Sequence, residues 1–87
     1  MNKTILIVDN NTFIAGHLQN LFRKLGFPTI VCSNCQGAGA AIVERSMGFV
    51  LLSTQLPGVQ PAQAVSYLRS LAPNVSIILL LGEDELP

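Results

Sequence analysis

The sequence predicts an α/β fold, a doubly wound parallel sheet in the order βαβαβαβ. Three observations carry this. Apolar runs at Lys3–Val8, Phe49–Ser53 and Val75–Leu81 show no polar–apolar alternation, as expected of strands covered on both faces. The stretches between the strands place apolar residues at helical spacing. Capping residues, glycines and prolines stand at the joints. This alternation implies helices on both faces of the sheet, with sites for ligands or reactions at the carboxyl ends of the strands.

The elements follow in order. Lys3–Val8 is the first strand. Asp9-Asn10-Asn11 breaks it and offers side-chain oxygens for a helix N-cap. Phe13, Ile14, Leu18, Leu21, Phe22 and Leu25 give the first helix an apolar face, and Gly26 stands at its C-terminal stop. Pro28–Cys32 is a short second strand. Asn34 caps a second helix running to about Ser46, and Gly37 and Gly39 weaken it by about 1 kcal/mol each against Ala, which predicts a loose start. Phe49–Ser53 is the third strand. Leu56-Pro57-Gly58 is a turn, Pro presetting one central position and Gly accepting positive φ at the next. Pro61 suits the first turn of a third helix, whose apolar face holds Val65, Leu68 and Leu71 and which Pro73 closes. Val75–Leu81 is the fourth strand, and Gly82–Pro87 reads as a loose acidic tail.

Composition narrows the function. Eighty-seven residues make one domain, 1–87. Only 11% of residues are charged, against about 25% in an ordinary globular domain, so some apolar surface is expected to lie under another chain. Net charge is zero and the five Lys and Arg are scattered along the sequence, which argues against direct nucleic-acid binding. The apolar runs Ile5–Val8 and Ile77–Leu81 are far too short for a membrane span, and the N-terminus does not read as a signal peptide. A cytoplasmic protein without a membrane partner is expected.

Lys3-Thr4-Ile5-Leu6-Ile7-Val8-Asp9-Asn10, the stretch Phe49 to Gly58 and the run Ile77 to Leu81 together resemble the receiver domain of bacterial response regulators, a CheY-like, flavodoxin-like fold. The resemblance spans the whole chain and implies the strand order 2-1-3-4. It also implies that a fifth strand ending in Lys, and two further helices, are lacking, so the domain is expected to be incomplete at its C-terminus. In the family, two acidic residues after the first strand hold a divalent cation, and here they are Asp9 and Asn10. The phospho-accepting Asp corresponds to Ser53, and the Thr or Ser that reports phosphorylation corresponds to Leu81. The resemblance therefore implies a degenerate phosphorylation pocket of Asp9, Asn10, Ser53 and Leu81.

The chemistry agrees. Aspartyl phosphorylation needs a carboxylate nucleophile and a cation to neutralise the phosphoryl oxygens. Asp9 leaves one carboxylate, which binds a stray cation weakly at most; a capping role suits it better. The expectation is a module without catalytic residues, metal or cofactor. It would work through contact with itself, as a homodimer, or with other signalling proteins, as the N-terminal regulatory domain of a larger regulator.

Without a fifth strand the fourth becomes an edge, with Ile77, Leu79 and Leu81 as its interaction residues, and Phe13 or Leu21 on the first helix loses a cover. Cys32-Ser33-Asn34-Cys35 offers an alternative. A Cys-x-x-Cys between strand and helix is where redox pairs sit, and a thiol-based redox sensor is the second reading. Two semi-buried structural residues are the plainer account. His17, Tyr67 and Arg69 read as surface residues.

Overall fold

The computed structural model describes residues 3–82. The elements are β1 (Thr4–Val8), α1 (Thr12–Lys24), β2 (Thr29–Cys32), α2 (Cys35–Glu44), β3 (Met47–Ser53), α3 (Pro61–Leu71) and β4 (Ser76–Leu80). All strand pairs are parallel and the sheet order is β2-β1-β3-β4, as the sequence predicts. No helix among the described residues is long and apolar enough to cross a membrane. The predicted acidic tail falls at 83–87, outside the described residues, apart from Gly82.

The sheet separates two cores. On one face Leu6, Val8, Val50 and Leu52 meet Ala38 and Ile42 of α2 and Ala64 and Leu68 of α3. On the other, Ile5, Ile7 and Leu51 meet Ala15 of α1, with Leu18, Phe22 and Leu80 packed around them. The two-sided cover explains why β1 has no alternation.

Local chemistry sets the boundaries. Asn11 is the N-cap of α1, its side-chain oxygen accepting from the amides of Phe13 and Ile14, both at 3.1 Å. Asn34 caps α2 by accepting from the Gly37 amide at 2.8 Å. The start of α2 is therefore held by a cap, where its glycines suggested fraying. Gly26 and Gly58 take the positive φ expected of a helix stop and a turn. β3 begins at Met47, two residues earlier than the sequence suggests, because Thr4 pairs with Met47 while Ile5 pairs with Phe49. Gly48 is the extra residue of that irregularity.

Two side chains read as surface residues have structural work. Tyr67 lies over buried Gly39, so a methyl group there would run into the Tyr67 ring and hydroxyl. Gly39 is thus a packing site between α2 and α3. Arg69 donates to the Val75 carbonyl at 3.2 Å and anchors the chain entering β4.

Candidate functional site

The carboxyl ends of β1, β3 and β4, with the start of α1, enclose an open cleft of about 890 Å³. Asp9, Asn10, Ser53 and Leu81 all line it, so the fold brings together the four residues singled out in sequence. The strand order reverses between β1 and β3, and a cleft at that reversal is where doubly wound sheets place their ligands.

Asp9 follows Val8 directly and is only 5% exposed. Its backbone amide donates to the Cys32 carbonyl at 3.0 Å, and its Oδ1 accepts from the Asn11 amide, also at 3.0 Å. Asp9 braces the turn into α1, while the cap itself is Asn11. No described Lys, Arg or His pairs with the Asp9 carboxylate.

Ser53 ends β3, is equally buried, and its Oγ accepts from the Gln55 amide at 3.1 Å. The hydroxyl is thereby tied into the backbone turn that follows it. Next to it, Thr54 donates through both its amide and its hydroxyl to the Leu80 carbonyl, at 3.1 and 3.2 Å, which clasps β3 to the end of β4. Leu81 lies one residue beyond β4 and projects an apolar side chain at the cleft mouth, 50% exposed. Among the described residues no three His, Cys, Asp or Glu side chains converge to hold a metal ion.

Charge is distributed along the strand axis. Lys3 precedes β1, Arg23 and Lys24 close α1, Arg45 follows α2, and Arg69 sits in the last turn of α3. Scattered in sequence, all five Lys and Arg therefore gather at the amino ends of the strands. The cleft at the opposite end has a carboxylate and no cationic Lys or Arg.

The predicted edge is partly redrawn. Ile77 is half-buried against the α2–α3 core. Leu79 and Leu81 are exposed, and so is Ile78, which lines a small apolar cavity with Ile5, Phe22, Phe27, Phe49 and Leu51. No strand among the described residues pairs with the outer side of β4. On α1, Phe13 and Leu21 are exposed, as is Leu25 just after it, and Phe13 stacks on His17 at 6.5 Å. Cys32 and Cys35 are free thiols of intermediate exposure, and burial pushes both thiols up from their ordinary value.

Sequence reasoning missed Ile14, Leu18 and Gln55 as cleft residues. The first two were visible only as part of the apolar face of α1; that they lie under the cleft depends on how α1 docks.

The fold and cleft define a doubly wound α/β scaffold with its cleft at the reversal of strand order, and comparison with known proteins places it. The response regulator receiver domain family matches residues 5–87, and the chain belongs to that family. It is 28% identical over 86 residues to the sporulation initiation phosphotransferase F of Bacillus subtilis, covering 99% of this chain and 69% of that protein. It is 31% identical over 87 residues to the phosphate regulon transcriptional regulatory protein PhoB of Pseudomonas aeruginosa, covering 98% of this chain and 38% of that protein. A CheY-like receiver domain protein from Methanospirillum hungatei JF-1 shares the fold, with a TM-score of 0.89 at 22% identity over 99% of this chain and 69% of that one.

Proposed function

We propose that this receiver domain acts without taking up a phosphoryl group, through protein–protein contact in bacterial signal transduction. The observation that carries this is the chemistry at the end of β3. Ser53 stands there with its hydroxyl already engaged by the Gln55 amide, beside a single carboxylate among the described residues. A hydroxyl lacks the charge of a carboxylate nucleophile, and the Ser53 hydroxyl is bonded to a backbone amide, which is a donor and not a base that could activate it. Magnesium is ordinarily held by one or two carboxylates together with substrate phosphate, and among the described residues Asp9 is the one carboxylate lining the cleft. Asn10 adds no charge, and Leu81 has no group with which to bond a phosphoryl oxygen. The domain on this reading has no enzymatic activity of its own.

The contact surface is the outer edge of β4. Ser76–Gly82 contains no Lys, Glu or Pro of the kind that keeps strand edges apart. Two copies pairing this strand antiparallel about a two-fold axis would set apolar residues opposite one another with no opposed like charges. The setting is the cytoplasm, in the regulatory domain of a larger regulator. The match to 38% of a transcriptional regulatory protein supports that setting.

The redox reading of Cys32 and Cys35 has weaker support. Reactive thiols are those with a lowered pKa, and burial moves these two the other way. Alkylation that is slow at neutral pH and accelerates only in alkaline solution is expected.

Incubation with a small acyl phosphate and Mg²⁺, followed by intact mass measurement, tests the main reading. An unchanged mass is expected. Addition of one phosphoryl group at Ser53 overturns it.

A further inference from the structure

A second recess opens at the amino ends of the strands, across the sheet from the cleft. It encloses about 260 Å³ between the loop that joins α2 to β3 and the loop that joins α3 to β4. Lys3, Ser46 and Asn74 line it and are exposed, while Ile42, Met47 and Val75 line it and are buried. It is smaller than the usual site of a drug-sized ligand and suits one compact polar group.

The polar side chains of the recess are donors, and its rim is positive. Lys3 offers an ammonium, Ser46 a hydroxyl and Asn74 a carboxamide. Arg45 directly precedes Ser46, and Arg69 reaches the carbonyls of Pro73 and Val75 at 3.5 and 3.2 Å. Glu44 is the acidic residue at this end among the described residues. The carboxyl ends of α2 and α3 point here, and their carbonyls oppose an anion. The Arg69 guanidinium meets two carbonyls just beyond α3, which reduces that opposition.

Lys3 is held in place as well. Its stem lies on Gly48, the extra residue in the pairing of β1 with β3. A methyl group at Gly48 would stand 2.6 Å from Lys3 Cβ, 3.5 Å from Cγ and 3.4 Å from Cδ. A long side chain already laid against the backbone loses less freedom on binding. The donor set then selects the anion. A carboxylate offers two oxygens, whereas a phosphate group offers at least three and accepts from ammonium, hydroxyl and amide together.

We propose that the recess at the amino ends of β1, β3 and β4, with Lys3, Ser46 and Asn74 as donors, binds a phosphate group. The group is carried as free phosphate or as a small phosphate monoester, and the chemistry at the recess is the same. Doubly wound sheets ordinarily place ligands at the carboxyl ends of their strands, so this site is separate from the cleft. It goes beyond the role in protein contact and holds whether or not the β4 edges pair.

The test is a titration of the chain followed through its backbone amide resonances. The probes are sodium phosphate, glycerol 3-phosphate, a short oligothymidylate, and sodium chloride at matched ionic strength. Saturable shifts at the amides of Lys3, Arg45–Gly48 and Asn74–Ser76 are expected with phosphate and not with chloride. Lys3→Ala is expected to bind phosphate about threefold more weakly, or worse. Equal or tighter binding of glycerol 3-phosphate assigns the group to a phosphate monoester, and binding of phosphate alone assigns it to the free anion. The proposal is overturned if neither small phosphate gives saturable shifts at these amides, if chloride gives the same shifts, or if Lys3→Ala binds as the parent does. It is also overturned if phosphate shifts only the cleft amides of Asp9–Asn11, or if the oligothymidylate alone binds, which would assign the face to a nucleic-acid backbone. Should Lys3→Ala not fold, the contrast between phosphate and chloride on the parent chain decides. Phosphoryl uptake is read separately by mass, so failure here is distinct from failure of the function proposed above.

Discussion

β1 and β4 are five-residue strands of nearly the same character, Thr-Ile-Leu-Ile-Val and Ser-Ile-Ile-Leu-Leu, and they end in opposite environments. Every residue of β1 is buried, whereas β4 has none buried and three exposed. The cause is position. β1 lies between β2 and β3 and under helices on both faces, while β4 pairs only with β3 among the described residues. An apolar run states what a strand tolerates, and its place in the sheet order decides what it receives. On the function proposed above, the exposed apolar row of β4 is the contact surface.

The same substitution in the two strands gives the largest expected contrast. Ile7, fully buried, and Ile78, 47% exposed, occupy comparable positions on the α1 face. Ile7→Ala should lower the unfolding free energy by about 2–5 kcal/mol, because it opens a cavity that the packed sheet cannot close. Ile78→Ala should cost about 1 kcal/mol or less in the monomer. Urea titration of both variants measures the difference, and equal losses would break the contrast between the strands.

The covered face can be probed without touching the sheet. Gly39→Ala should destabilise by about 1–3 kcal/mol, since the added methyl meets the Tyr67 ring and hydroxyl. Adding Tyr67→Leu should recover part of that loss if the close approach is its origin. Asn34→Ala should cost about 1 kcal/mol by removing the cap on the Gly37 amide. Far-ultraviolet circular dichroism against temperature reads both.

Much of the fold was legible in sequence because parallel strands and capped helices leave local signs. The apolar runs, the Asn34 cap and the turn at Gly58 each act within a few residues. What was not legible depends on approach between distant segments. The glycines of α2 looked like weaknesses, and only the seating of α3 shows Gly39 as the place where Tyr67 rests. The cations looked scattered because sequence distance hides that Lys3 and the C-terminal ends of three helices meet at the amino ends of the strands. In the cleft, Asp9, Asn10, Ser53 and Leu81 were found through family resemblance, while Ile14 and Leu18 join it only through the docking of α1. The edge residues were assigned by strand membership, which does not tell Ile77, packed against the core, from Ile78, left open.

The smallest effect on folding should come with the largest effect on association. Leu79 is 44% exposed on β4, so Leu79→Lys should change monomer stability by only about 0.5 kcal/mol while placing a charge on the bare edge. Light scattering of the parent and this variant at micromolar concentration tests most directly whether β4 is a working surface. The account predicts twice the monomer mass for the parent and the monomer mass for folded Leu79→Lys. A folded parent that is monomeric, or a variant that associates as the parent does, would contradict it.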